Sequence, residues 1–265
     1  MAVWLYNMSR LSNKNSLYNK TAVITGGTRG IGKAISEELG KRGANLILNY
    51  LRNHKEAKKT QKELNENNIN CSIYRCNIGD IESVDKFINK ITLEHDKIDI
   101  LINNAASGVM KKSTDLDIKH WDWTMDINAR GTWYISKQLS KQMINGGNII
   151  NISSPGSSMV LPDYFPIGVS KAALESITRY LSIELAEKNI AVNSVSAGYV
   201  LTDALNHFPD KDSVVEIAEK ATPAGRPIRP QDVANVVAML CGSDAEMIRG
   251  QNILVDGGST INFNH

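Results

Sequence analysis

The stretch TGGTRGIG, residues 25–32, ends a short β-branched run, and a helical pattern begins at once with Ile31, Ala34, Ile35 and Leu39. A diphosphate needs backbone amides at a helix N-terminus with no Cβ in the way, and Gly26, Gly30 and Gly32 supply that opening. Glycine spacing alone is a weak signal. The strand before it, the helix after it and its position at the start of an alternating chain make it a strong one. The competing reading is a tight turn with no ligand.

Outward from this loop, β-branched runs at 21–25, 45–50, 71–76, 99–102, 148–153, 190–196 and 252–255 alternate with longer segments of helical period. That pattern predicts an α/β fold, a seven-stranded parallel sheet with helices on both faces. Val84, Phe87, Ile88 and Ile91 form one core-facing stripe, and Val233, Val236, Val237 and Leu240 another. HKEAKKTQKELNENN, residues 54–68, offers only Ala57 and Leu64 to a core, as expected of an exposed helix near a sheet edge. Residues 1–19 read as an extension and 20–265 as a single domain. The period fades near 205–223 before ATPAGRPIRP, so a substrate lid is expected near 200–225.

Composition excludes several classes. Thirty basic against 28 acidic side chains leave a net charge of +2, too little to argue for a nucleic-acid or membrane surface. No apolar run approaches membrane length. Cys71, Cys76 and Cys241 are odd in number and lack metal-ligand spacing, so they read as reduced packing residues of a cytoplasmic protein with no metal.

The end of the second strand ordinarily separates the two nicotinamide cofactors, because an acidic side chain there binds the ribose 2′-hydroxyl and repels a 2′-phosphate. Here it reads LILNYLRN, without an acid. Arg52 is close and Arg29 lies in the glycine loop, so two guanidinium groups can converge on a phosphate and NADPH is favoured. The alternative is that both are surface arginines.

With TGGTRGIG, NNAA at 103–106, Asn128, INISS at 150–154, SKAALE at 170–175, NSVSAG at 193–198 and VDGG at 255–258, the chain resembles the short-chain dehydrogenase/reductase family. The resemblance implies a single Rossmann-fold domain, usually a homotetramer, that moves hydride to or from a nicotinamide ring. It places the cofactor against Gly26, Thr28, Arg29, Gly30, Ile31 and Gly32. Arg52, Asn77, Ile78, Asn103 and Ala105 then lie along the adenosine, Lys171 on the nicotinamide ribose, and Gly198, Val200 and Thr202 over the nicotinamide end. Asn77 stands where the family usually has Asp, and Ala197-Gly198 replaces its Pro-Gly.

In the ordinary family member a serine, a tyrosine and a lysine share the chemistry: the tyrosine donates a proton, the lysine lowers its pKa and the serine positions the substrate oxygen. Ser154 and Lys171 match, but the tyrosine position holds Ile167. Tyr164 is the candidate donor, with six residues between it and Lys171. On an unbroken helix those two would be about 10 Å apart along the axis. Pro166 suits a first helical turn and disfavours helix at Phe165, so Tyr164 is expected in the preceding loop, able to fold back.

Tyr-x6-Lys resembles the enoyl-acyl-carrier-protein reductases, a branch that reduces a conjugated double bond. NNAASGV, HWDWTMDINA, TDALNHFP, TPAGR and EMIRGQ bring the resemblance nearest to the type III enzymes of bacilli. It implies NADPH-dependent reduction of trans-2-enoyl thioesters of acyl carrier protein or coenzyme A in fatty acid synthesis. A carbonyl or polyketide-tailoring reductase is the alternative, and an inactive nucleotide-binding scaffold a further one. Trp121 and Trp123 read as core or interface aromatics, and His120 and His207 have no acid or metal partner in register.

Overall fold

The computed structural model describes residues 16–202, 205, 208 and 210–262. Most of the expected extension, residues 1–15, lies outside the described residues, as do 203, 204, 206, 207 and 209 of the expected lid.

Alternating apolar side chains build a sheet buried on both faces. Along β1 (Thr21–Ile24), β2 (Asn45–Tyr50) and β4 (Ile100–Asn103), the side chains of Ala22, Ile24, Leu46, Leu48, Ile100 and Ile102 enter one core. Val23, Ile47 and Leu101 enter the other. Period-2 alternation with apolar residues in both sets leaves no face for water, so helices must cover both. On the first face lie α1 (Gly30–Lys41), with Ile35 and Leu39, and α8 (Pro230–Leu240), with Val233 and Val237. On the second lie α3 (Ile81–Glu94), through its predicted stripe of Val84, Phe87, Ile88 and Ile91, and α5 (Thr132–Leu139). Ile127 and Asn128 sit in a widened π turn, Asp126–Gly131, between α4 (Ile118–Met125) and α5.

With β3 (Cys71–Arg75), β5 (Gly147–Ser153), β6 (Ile190–Ala197) and β7 (Asn252–Val255), the seven strands run in the order β3-β2-β1-β4-β5-β6-β7, every pair parallel. Each predicted strand is present with its ends displaced by at most one residue. Asp99 falls outside β4: its carboxylate accepts from the Thr21 amide at 2.9 Å and pairs with Lys97 at 3.0 Å. α2 (His54–Glu66) buries only Ala57, Thr60 and Leu64 and packs on the edge strand β3. The chain winds outward from β1 through β2 to β3, then returns to the other side of β1 as β4. That reversal opens a crevice at the carboxyl ends of β1 and β4, where a ligand of such a sheet binds. No described helix is long and apolar enough to cross a membrane.

Candidate active site

The crevice is one cavity of about 960 Å³. At its floor β1 delivers Thr25, whose Oγ1 accepts from the amides of Asn104 and Ala105, both at 3.0 Å, and so locks the glycine loop to the end of β4. Gly32 has no room for a side chain: a Cβ there would lie 2.2 Å from the Gly26 carbonyl oxygen. Gly30 takes a left-handed φ of +53°, and a Cβ there would meet the Thr202 side chain at 3.6 Å. The N-terminus of α1 carries no side-chain cap and no acid in its first turn. An uncapped helix start with a Cβ-free approach fits a diphosphate, and both Arg52 and Lys171 belong to the walls of the same cavity.

At one end Arg29, Arg52, Asn77 and Ile78 line the cavity. Arg29 and Arg52 are exposed, and among the described residues neither has an ion pair. Buried Asn49 holds this end together: its Oδ1 accepts from the Gly26 amide at 3.2 Å and its Nδ2 donates to the Cys76 carbonyl at 2.9 Å.

At the far end the displaced tyrosine stands ahead of its helix. α6 (Phe165–Glu184) begins at Phe165 with Pro166 inside its first turn, so helix is tolerated one residue earlier than Pro166 led us to expect. Tyr164 is the residue before the helix, and Asp163 in front of it takes a left-handed turn at φ +54°. The Tyr164 hydroxyl donates to Ser154 Oγ at 3.3 Å. Ser154 Oγ also accepts from the Gly156 amide at 3.3 Å, which leaves its own proton available to the cavity. Two glycines create this seat. A Cβ on Gly156 would lie 2.6 Å from the Tyr164 ring, and one on Gly168 2.6 Å from the Gly156 carbonyl oxygen. Ile167 turns away from the reacting groups and packs over Gly108.

Lys171 is buried, and its Nζ donates to the Ile152 carbonyl at 2.6 Å. Burial pulls its pKa down to about 8, with Glu175 acting in the opposite direction. Burial raises the Tyr164 phenol above its ordinary value, and the bond to Ser154 partly offsets this. Lys171 and Tyr164 share the cavity without a hydrogen bond between them, and a phenol held above its ordinary value keeps its proton.

Ala105, Gly198, Val200 and Thr202 line the cavity. Asn103 does not. As the last residue of β4 its side chain turns under the sheet, where Nδ2 donates to Ser136 Oγ at 2.9 Å and Asn151 Oδ1 at 2.8 Å. Asn104 lines the cavity in its place and donates to the Gly26 carbonyl at 3.1 Å. Trp123, expected in a core or interface, is a half-buried cavity wall, whereas Trp121 pairs with Phe165 at 5.9 Å. His120 has an acid partner after all, Asp117 at 3.0 Å, one helical turn away and outside the cavity. His207 lies outside the described residues. Sequence reading missed Tyr199 and Phe208. Tyr199 follows Gly198 into the cavity, and Phe208 stacks on the Tyr164 ring with centroids 6.2 Å apart. The three thiols are buried, with pKa values pushed up to about 12, 11 and 12 for Cys71, Cys76 and Cys241, as inert packing requires.

A doubly wound parallel sheet with a glycine loop, and Ser, Tyr and Lys at one end of its crevice, defines a nicotinamide-dependent oxidoreductase of Rossmann type. A family model described as enoyl-(acyl carrier protein) reductase matches residues 26–260, and the chain belongs to the short-chain dehydrogenase/reductase family. It is 33% identical over 248 residues to an NAD-dependent glycerol dehydrogenase of Listeria innocua, covering 93% of this chain and 96% of that one. It is 33% identical over 244 residues to a 1-cyclohexenylcarbonyl-CoA reductase of Streptomyces collinus, covering 91% and 87%. Among solved structures, an angucycline C-6 ketoreductase with bound NADP superposes with a TM-score of 0.86 at 31% identity, covering 94% of this chain and 98% of that one.

Proposed function

We propose that the chain reduces trans-2-enoyl thioesters, carried on acyl carrier protein or coenzyme A, to saturated acyl thioesters at the expense of NADPH and one proton. The observation that carries this reading is the position of Tyr164, offered to Ser154 from ahead of α6 while Ile167 occupies the ordinary donor position. The description of the matching family model and the relative named a 1-cyclohexenylcarbonyl-CoA reductase support the same substrate class.

NADPH held along the crevice would supply the hydride, and the β-carbon of the enoyl group would accept it. Gly26, Gly30 and Gly32 with the start of α1 would hold its diphosphate, Arg29 and Arg52 its 2′-phosphate, and Lys171 its nicotinamide ribose. Negative charge then develops on the thioester oxygen. The Tyr164 hydroxyl and the available proton of Ser154 converge where that oxygen would sit, and donors preorganised in a dry site stabilise such charge strongly. Met159, Leu161, Trp123 and Phe208 give this end of the cavity an apolar wall. Leu205, Phe208 and Ile217 contribute from the proposed lid.

Carbonyl reduction through the same Tyr164 is the second reading, favoured by its bond to Ser154 and by the ketoreductase among the structural relatives. NADPH oxidation with crotonyl-CoA and with acetoacetyl-CoA separates the two. The enoyl substrate is expected to turn over at least about tenfold faster. Turnover of the ketone alone would overturn the proposal.

A further inference from the structure

We propose that Glu175, on the helix of Lys171, is a positioning residue that fastens the Ser154 turn and the lysine helix into one unit. This rests on the reading that Ser154, Tyr164 and Lys171 carry the reaction, whichever double bond is reduced. Glu175 lies four residues after Lys171 on α6, one turn further along the same face. A single oxygen, Oε1, accepts three hydrogen bonds from three different elements. Ser153 Oγ, at the end of β5, donates at 2.6 Å. Ser157 Oγ, at the end of the 3-10 turn Pro155–Ser157, donates at 2.5 Å. Asn252 Nδ2, at the start of β7, donates at 3.0 Å.

Ser153 and Ser157 bracket Ser154, so one carboxylate holds both ends of the segment that presents the serine. The same segment contains Gly156, against which the Tyr164 ring is seated. A shift of this turn therefore displaces both proton donors relative to Lys171, and misplacement of donors by fractions of an ångström is costly to a reacting geometry. Bonds to a carboxylate are about twice as strong as neutral ones, and three on one oxygen make a rigid junction.

Glu175→Ala removes the acceptor, whereas Glu175→Gln keeps an oxygen of the same reach. The Ala variant is expected to lose at least about tenfold in kcat while NADPH affinity, read by fluorescence titration, stays within about twofold. The Gln variant should recover most of that loss. Ser157→Ala, a milder change in a half-buried turn, should lower kcat in the same sense, and combined with Glu175→Ala it should add nothing further. Wild-type kcat in Glu175→Ala would overturn the proposal, as would a Gln variant as poor as Ala, multiplicative effects of the two substitutions, or cofactor affinity falling in step with kcat. If Glu175→Ala does not fold, Ser157→Ala decides: unchanged kcat there overturns the proposal. If the wild-type chain reduces only acetoacetyl-CoA, the enoyl reading fails and the same comparison is made on that substrate. A chain that binds NADPH and reduces neither overturns both.

Discussion

Tyr164 reaches the cavity through backbone choices on either side of it. Asp163 turns left-handed, α6 starts immediately afterwards, and Gly156 leaves the space that the ring fills. In Gly156→Ala a Cβ 2.6 Å from that ring forces it aside. Turnover should fall at least about tenfold, the tyrosine having lost its near-attack position, with NADPH affinity preserved. Steady-state kinetics beside a cofactor titration check this. Lys171 sets a second expectation. Burial brings its pKa down to about 8 and raises that of the Tyr164 phenol above its ordinary value. If the ammonium is required, kcat/KM is flat below that pH and declines as pH rises through about 8, because the lysine then loses its charge. A profile that stays level well above that pH contradicts the role. Much at this scale was legible in the sequence. Pro166 marks a helix start and so releases Tyr164 from the helix; Asn103 misled because it is the last residue of a strand, where one step of the two-residue period turns a side chain from the crevice into the core.

At the scale of elements the strands were legible to within a residue, since apolar side chains on both faces leave little freedom in their limits. The stripe of α3 was legible for the same reason, and the bare face of α2 correctly pointed to a sheet edge. The π turn at Asp126–Gly131 was not legible, because nothing in a helical period announces an extra residue in a turn. It has two visible consequences. Asn128 Nδ2 donates to the Ser107 carbonyl at 2.8 Å and to Ser170 Oγ at 2.9 Å, tying the loop after β4 to α6. Gly131 approaches the chain after β3 so closely that a Cβ would lie 2.2 Å from the Ile78 carbonyl oxygen. Since that neighbour is backbone and cannot swing away, Gly131→Ala should destabilise the fold by roughly 1–3 kcal/mol, read as a lowered urea midpoint. An unchanged midpoint would show that the two segments separate without cost.

Across the whole molecule, the order of strands places the cofactor end and the reacting end in one crevice, and the alternating pattern of the chain already implied it. What the pattern did not carry was the side-chain census of the far wall, because Trp123 comes from α4 and Tyr199 and Phe208 from the connection after β6, segments that only the folded chain brings together. Cofactor choice also belongs to this scale, since Arg29 and Arg52 approach from different loops. Replacing both by Ala should weaken NADPH binding at least about tenfold and leave NADH nearly unchanged, as expected when charge-assisted contacts to one phosphate are removed. Equal losses for the two cofactors would count against a 2′-phosphate site.

The relocation of the proton donor is tested most directly by the single-turnover rate of crotonyl-CoA reduction in Tyr164→Phe, with NADPH affinity measured on the same sample. Loss of the hydroxyl that donates to Ser154 predicts a fall of about a hundredfold or more at unchanged cofactor affinity. A variant that reduces crotonyl-CoA at the wild-type rate would contradict Tyr164 as the donor.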